Sequence, residues 1–138
     1  MAAGFRVLEH PSDLGIEARG GTLAEAFEQA GAGLMSVLCD LSSVAPAEQR
    51  TVAVPGADVQ QLLVRWLSEI LYLFDGQHWV AGEFSIDEIG PSGLKATLRG
   101  EPLSDWHHPK LDVKAVTYHQ LAVRQDPEES VVSVYFDI

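Results

Sequence analysis

Residues 58–76 have the sequence DVQQLLVRWLSEILYLFDG, which shows the strongest apolar periodicity in the chain. Its apolar side chains recur at offsets of three and four positions, which places them on one face of an α-helix. Asp58 is a favourable N-cap residue, and Gln61 can complete the cap three positions later. Gly76 predicts the end of the helix because glycine readily adopts the left-handed conformation of a helix stop. The stretch therefore predicts a long helix with one face buried in a core.

A second amphipathic helix is predicted from Thr22 onward. Glu25 follows Thr22 at capping-box spacing, and the apolar residues between Leu23 and Leu38 again repeat with helical period. Gly31 and Gly33 weaken this helix by roughly 1 kcal/mol each relative to alanine. We expect these glycines to let the helix pack closely on a sheet.

The remaining apolar segments have the alternation and flanking turn residues of β-strands. They are Phe5–Glu9, Leu14–Arg19, Arg50–Val54, Glu83–Ile89, Leu94–Arg99, Leu111–Val123 and Val131–Asp137. Residues 90–93, Gly-Pro-Ser-Gly, predict a hairpin. Because strands and helices do not alternate regularly, we predict an α+β fold: a two-layer, largely antiparallel sheet with two amphipathic helices packed on one face. The length of 138 residues suits one domain, 1–138.

The charge balance excludes one class of function. The chain has 20 Asp plus Glu against 9 Lys plus Arg, a formal net charge of −11, and its few cations are scattered. A protein that holds nucleic acid through the phosphates normally carries a basic patch. Acidic proteins more often bind cations or basic partners.

Cysteine usage and hydropathy indicate the compartment. The single cysteine, Cys39, cannot form an internal disulfide, and its place near the end of an apolar helix face is typical of a small buried hydrophobe. No signal peptide and no membrane-spanning apolar run are apparent. We expect a cytoplasmic protein without membrane contact, and a monomer because no helix has a coiled-coil seam.

The turn between the first two predicted strands gathers polar side chains. His10, Ser12 and Asp13 lie within four residues, with Gly15 following. One interpretation is a local turn in which Asp13 accepts backbone N–H groups. The other is a cluster of ligands. None of the common nucleotide-binding, zinc-protease or serine-hydrolase motifs is present to decide between them.

The chain ends inside a predicted strand. Alternation over 131–138 puts Val132, Val134, Phe136 and Ile138 on one face and Ser133, Tyr135 and Asp137 on the other. We expect Ile138 to anchor in the core while its terminal carboxylate lies beside Asp137. Two such carboxylates repel unless a cation lies between them. An ordinary edge strand that happens to end here is the alternative.

Two further segments carry candidate residues. In 113–119, alternation places Lys114, Val116 and Tyr118 on one face and Ala115, Thr117 and His119 on the other. An interior lysine in so apolar a strand would need a partner, whereas a surface lysine would not. His107 and His108 are adjacent, point to opposite sides of an extended chain and are more typical of a loop than of a shared metal site.

Taken together, these motifs resemble the archease family, the small accessory proteins of RtcB-type RNA ligases. The resemblance extends over nearly the whole chain, and its motifs are His10–Ile16, Thr22–Phe27, Leu62–Asp75, Gly100–Leu103, Lys114–His119 and Asp137–Ile138. The most specific of them is Lys-Ala-Val-Thr-Tyr-His at 114–119. Pro11 and Ser12 depart from the Thr-Ala that is usual in the first turn, which affects the fine geometry of that turn more than the carboxylate of Asp13.

The resemblance implies a protein cofactor rather than an enzyme. Archeases promote guanylylation and multiple turnover of their ligase in tRNA splicing and RNA repair, so RNA is reached only through that partner. The family's divalent-metal site carries over to Asp13, Asp137 and the terminal carboxylate of Ile138. Such oxygen ligands suit Ca²⁺, Mg²⁺ or Mn²⁺. Lys114 is expected to matter as well, and His10, Tyr118 and His119 to face the partner.

Two other functions remain possible on the residues alone. One is a stand-alone metal-dependent hydrolase built on His10, Asp13 and His119. The other is a chaperone-like binding module that uses an exposed apolar patch. Hydrolysis of phosphoesters without a partner would favour the first, and activity that survives metal chelation would favour the second.

Overall fold

The computed structural model describes residues 3–9 and 13–138. It contains ten regular elements: β1 (Gly4–Glu9), β2 (Leu14–Gly20), α1 (Leu23–Leu38), β3 (Glu48–Pro55), α2 (Val59–Gln77), β4 (Trp79–Gly90), β5 (Gly93–Pro102), β6 (Ala115–Val116), β7 (Ala122–Gln125) and β8 (Ser130–Asp137). Short 3-10 turns lie at Leu41–Ser43 and Asp105–His107. No helix in the described ranges is both long and apolar enough to cross a membrane.

The strands form two antiparallel sheets. Sheet A has the order β1-β2-β8-β6, with β7 also paired to β8, and sheet B has the order β3-β5-β4. The predicted α+β class and the β4–β5 hairpin are confirmed. The prediction of one sheet differs from the structure, because alternation shows which side of a strand is apolar but not which strand lies beside it.

Helix α1 lies between the sheets, and its two glycines explain how it fits. A Cβ atom at Gly33 would lie 3.2 Å from Ile16 and Phe5 of sheet A. One at Gly31 would lie 2.9 Å from the ring of Phe84 in sheet B. The expected close packing on a sheet is therefore confirmed, and it occurs on both sides of the helix.

Helix α2 completes the core beside α1. Asp58 accepts a hydrogen bond from the Gln61 N–H at 2.8 Å, as the cap predicts, and buried Trp66 donates from Nε1 to the Phe27 carbonyl oxygen at 2.9 Å. The predicted stop at Gly76 is wrong. The helix continues to Gln77, and His78 takes the left-handed conformation, with φ 51° and ψ 46°.

Gly76 does not end the helix, and it lies beneath the ring of Tyr72. A Cβ atom there would lie 2.7 Å from Cε1 of the Tyr72 ring, which covers that turn of the helix. Cys39, just after α1, is fully buried, and burial raises the pKa of its thiol to about 11. Its interpretation as a small hydrophobe is confirmed.

The predicted long strand over Leu111–Val123 is wrong in extent. Only β6 and β7 form there, and residues 108–114 have no regular structure. Their backbone groups bond to other parts of the chain: the Lys110 N–H donates to Leu38 O at 2.9 Å, and the Lys114 N–H donates to Asp137 O at 2.8 Å. This segment therefore joins the end of α1 to the end of β8.

Candidate functional site: a carboxylate cluster at one end of sheet A

The pairing of β2 with β8 brings the two predicted aspartates to the same end of sheet A. The antiparallel ladder ends with Leu14 opposite Phe136, both buried. Asp13 immediately precedes this pair, and Asp137 immediately follows it. Two residues more than 120 positions apart in the chain therefore lie at the same end of sheet A, because β2 and β8 are neighbours.

The chain end differs from its prediction in two ways. Ile138 is 48% exposed, so it does not anchor in the core, and buried Phe136 anchors the strand instead. Strand β8 is also not an edge strand, since β2 pairs on one side and β6 and β7 pair on the other. The terminal residue therefore projects from the centre of sheet A, and the hydrogen bond from the Lys114 N–H holds the carbonyl of Asp137 just before it.

Lys114 and Tyr118 lie at the surface. The side chain of Lys114 is exposed, which favours the surface interpretation of this lysine over a buried charge. Tyr118 is 58% exposed, and its carbonyl accepts a hydrogen bond from the Leu121 N–H at 3.2 Å, which closes a turn after β6.

His119 joins the carboxylate end from this turn. Its Nε2 atom lies 4.0 Å from Oδ2 of Asp13, and its ring meets that of Tyr135 edge-on, with centroids 6.4 Å apart. Tyr135 is nearly buried although alternation places it on the outer face of sheet A. His10, the other predicted histidine of the site, lies outside the described residues.

The number of acidic side chains bears on what the cluster can bind. In the part of the chain that the structure describes, no group of three or more His, Cys, Asp or Glu side chains could hold a metal ion. The predicted ligand set is different in kind, since it has two aspartate side chains and the chain's own terminus. All its donors are carboxylate oxygens, which fit hard divalent cations.

The adjacent histidines, His107 and His108, have separate environments. His107 is fully buried: its Nδ1 accepts the Ser104 N–H at 2.9 Å, so Nε2 carries the hydrogen and donates to Glu101 at 2.8 Å. Hydrogen bonds from the Ala45 N–H and from His107 lower the pKa of Glu101. The predicted loop is correct in outline, but burial makes His107 a structural residue, which sequence reasoning missed.

Two glutamates elsewhere on sheet A or at its margin, Glu17 and Glu129, are paired with arginine. Glu17 accepts from Arg6 at 3.0 Å and from Arg19 at 3.2 Å, and Glu129 lies between Arg19 and Arg124 at 3.5 and 3.3 Å. The hydrogen bond from Arg6 is the main cause that lowers the pKa of Glu17.

Comparison with known proteins gives a consistent result. Residues 5–138 match the model of the archease protein family. The chain is 36% identical over 139 positions to the protein archease of Methanosarcina acetivorans, covering 97% of this chain and 95% of that one. It is 40% identical over 124 positions to the protein archease of Thermococcus gammatolerans, covering 87% of each.

Two solved structures share the fold. The solution structure of Methanobacterium thermoautotrophicum protein 1598 superposes with a TM-score of 0.79 at 31% identity and covers 98% of this chain and 99% of that one. The crystal structure of a Thermotoga maritima archease, described as a possible chaperone, gives a TM-score of 0.60 at 21% identity over 95% of this chain and 94% of that one.

Proposed function

This chain belongs to the archease family, and on that premise we propose that it is a protein cofactor of an RtcB-type, GTP-dependent RNA ligase. In this role it promotes guanylylation of the ligase and its repeated turnover in tRNA splicing and RNA repair. The ligase holds the RNA, which agrees with a net charge of −11 and scattered cations on this chain.

One observation carries the proposal beyond family membership. The β2–β8 ladder ends with Leu14 opposite Phe136, so Asp13 and Asp137 flank the same end of sheet A, and Ile138 follows Asp137 in the chain. Ionised carboxylates that lie close together repel each other unless a positive charge lies between them. The arrangement therefore supports a site for a cation.

The donor set determines which cation the site suits. Carboxylate oxygens favour Ca²⁺, Mg²⁺ or Mn²⁺ over metals that prefer nitrogen or sulfur. Asp13, Asp137 and the terminal carboxylate of Ile138 would hold it, leaving a net charge of about −1 and open positions for a ligand from the ligase. When bound, the ion supplies a positive centre at an otherwise acidic end of the molecule.

The surface around the cluster has the character of a protein contact. Tyr118 and Ile138 are exposed apolar side chains, and exposed Lys114 immediately precedes β6, whose residue Ala115 pairs with Asp137. Aromatic side chains are frequent anchors of interfaces, and a charge beside them contributes specificity. We expect these residues to contact the ligase.

A ligation assay tests the proposal. RNA with a 3′-phosphate or cyclic phosphate end and RNA with a 5′-hydroxyl end are joined by the cognate ligase at limiting amount, with and without this protein. We expect it to increase product well beyond one turnover per ligase. The double variant Asp13→Asn/Asp137→Asn should lose most of that increase, because its amides carry no charge to hold the cation.

Asp87→Asn is the matched control. Asp87 is exposed on β4 of sheet B and accepts a hydrogen bond from Thr97 Oγ1, which an amide oxygen can also accept. The control should stimulate fully. A wild-type protein without effect on turnover would contradict the proposed function, whereas full stimulation by the folded double variant would contradict only the cation site.

A chaperone-like module is the second candidate. It is favoured by the exposure of Trp106, Leu111 and Tyr118, which lie between β5 and β7. In that case chelation and Asp13→Asn would leave the activity of the protein intact. Phosphoester hydrolysis by the purified protein alone would instead favour the hydrolase that His119 and Asp13 also permit.

A further inference from the structure

We propose that Thr117 is a positioning residue whose hydroxyl group holds His119 beside Asp13, at the edge of the carboxylate cluster. This inference rests on the proposed function, because it assigns to that site a supporting residue that binds no ligand itself. Three observations carry it: the hydrogen bonds of Thr117, the packing of Tyr135, and the approach of His119 to Asp13.

Thr117 is bonded at three points. Its N–H and its Oγ1 both donate to the carbonyl oxygen of Tyr135, each at 3.0 Å, and Oγ1 accepts the His119 N–H at 3.2 Å. A hydroxyl group donates one hydrogen bond and accepts up to two, so these contacts are compatible with each other. The hydroxyl therefore ties the turn after β6 to β8 only two residues before Asp137.

The side chain of Tyr135 forms the surface on which His119 rests. A Cβ atom at Gly15 would lie 2.7 Å from Cδ1 of Tyr135, so the ring covers the backbone of β2 where only glycine leaves room. The edge of the His119 ring meets that same ring. Tyr135 thus contacts β2 and the His119 turn at once, close to the point where Asp13 enters β2.

His119 depends on this support because little else holds it. Its side chain is 62% exposed, and an exposed side chain loses rotamer freedom when it is held in one orientation. The Thr117 hydroxyl fixes the backbone of His119, and the Tyr135 ring limits its side chain, so Nε2 is kept 4.0 Å from Asp13 Oδ2.

This placement matters because neighbouring groups orient the ligands of metal sites. A ligating carboxylate is usually hydrogen-bonded by a second residue, and losing such a partner typically costs about 10–100-fold in metal affinity. At 4.0 Å, Nε2 of His119 lies beyond direct hydrogen-bond distance from Oδ2 of Asp13, so it would serve this carboxylate after a small closing movement or through one water molecule. Thr117 acts one step further from the ion, through His119.

Three single variants test the assignment. Thr117→Val removes the hydroxyl group and keeps the shape, Thr117→Ser restores the hydroxyl group, and Thr97→Val is the matched control. Thr97 in sheet B also donates a hydrogen bond, to Asp87 at 2.7 Å, but it lies in the other sheet. Thermal unfolding of each variant separates a loss of stability from an effect on the site.

The readouts are magnetisation transfer between the His119 and Tyr135 rings in the metal-free protein, measured by NMR, and Mn²⁺ affinity, measured by calorimetry. We expect Thr117→Val to lose the ring contact and to bind Mn²⁺ about tenfold more weakly. Thr117→Ser and Thr97→Val should match the wild type in both. A Thr117→Val protein that unfolds at lower temperature but keeps the ring contact would overturn the proposal.

A double-mutant cycle with His119→Ala makes the test sharper. If Thr117 acts through His119, the double variant should bind Mn²⁺ no more weakly than His119→Ala alone, whereas independent losses would add and overturn the proposal. Mn²⁺ affinity that Asp13→Asn does not change would instead contradict the proposed cation site. In that outcome, the ring contact in the metal-free protein still decides whether Thr117 positions His119.

Discussion

The carboxylates on sheet A lie in two different environments. Glu17 on β2, and Glu129 just before β8, lie between Arg6, Arg19 and Arg124, and each carboxylate contacts two guanidinium groups. At one end of the sheet, Asp13 and Asp137 have no lysine or arginine side chain within 4.0 Å among residues 3–9 and 13–138. Among the described residues, His119 is the basic group that approaches Asp13, at 4.0 Å.

This difference separates carboxylates that stabilise the fold through ion pairs from carboxylates that remain available to bind a cation. A paired glutamate gains from its arginines in the folded state, as the lowered pKa of Glu17 indicates. An aspartate without such a partner gains nothing comparable from folding. Two aspartates without a lysine or arginine partner at one end of a sheet are free to bind a positive ion, and this contrast is the physical basis of the proposed cation site.

The largest effect is expected at the chain end. Adding Gly-Ser-Gly after Ile138 moves the terminal carboxylate while every native side chain stays in place, so Mn²⁺ affinity should fall about tenfold or more. Calorimetric titration measures it. Ile138→Val, which keeps the carboxylate at its position, is the control and should bind as the wild type does. Equal affinity of the extended chain would remove the terminus from the ligand set.

A smaller effect is expected in the arginine network. Glu129→Gln keeps the shape of a nearly buried side chain but removes the charge between Arg19 and Arg124. Because both arginines are partly in solvent, the free energy of unfolding should fall by only about 1 kcal/mol. Urea denaturation measures it, with exposed Glu128→Gln as control. A loss of Mn²⁺ affinity in Glu129→Gln would break the distinction between the two groups of carboxylates.

The smallest effect is a difference in acid sensitivity. The pKa of Glu17 is lowered in the folded state, so its ion pairs stabilise the protein above the unfolded value near 4.5, and this contribution is lost as the pH falls through the folded pKa. The free energy of unfolding of the wild type should therefore decrease below pH 4.5 more steeply than that of Glu17→Gln. Parallel pH profiles of the two proteins would contradict this role of Glu17.

Much of the architecture could be predicted from local patterns. The N-caps Thr22 and Asp58 and the apolar repeats after them predicted both helices, because capping and amphipathic period depend on residues within a few turns. The predicted stop at Gly76 was early: Gly76 stays helical beneath the Tyr72 ring, and His78 takes the left-handed conformation that closes the helix.

The sequence singled out Asp13 and Asp137 as candidates, but it did not indicate the surroundings in which the structure places them. Alternation put Asp137 on the outer face of β8, and the polar turn singled out Asp13. Nothing in the local pattern indicated that Ile138 would be exposed, that His107 would be buried against Glu101, or that the hydroxyl of Thr117 would bond to both Tyr135 and His119. Each of these depends on a neighbour that another element brings close.

Local patterns in the sequence were sufficient to predict the two helices, the β4–β5 hairpin and the polar residues of the first turn and the last strand. The division of the strands into two sheets, the position of β8 between β2 and the short strands, and the placement of Asp13 and Asp137 at one end of sheet A are visible only in the folded chain. The reason is the distance along the chain over which each kind of interaction acts. Period, capping and alternation report interactions within a segment, whereas strand partners are chosen by contacts between segments far apart in the chain.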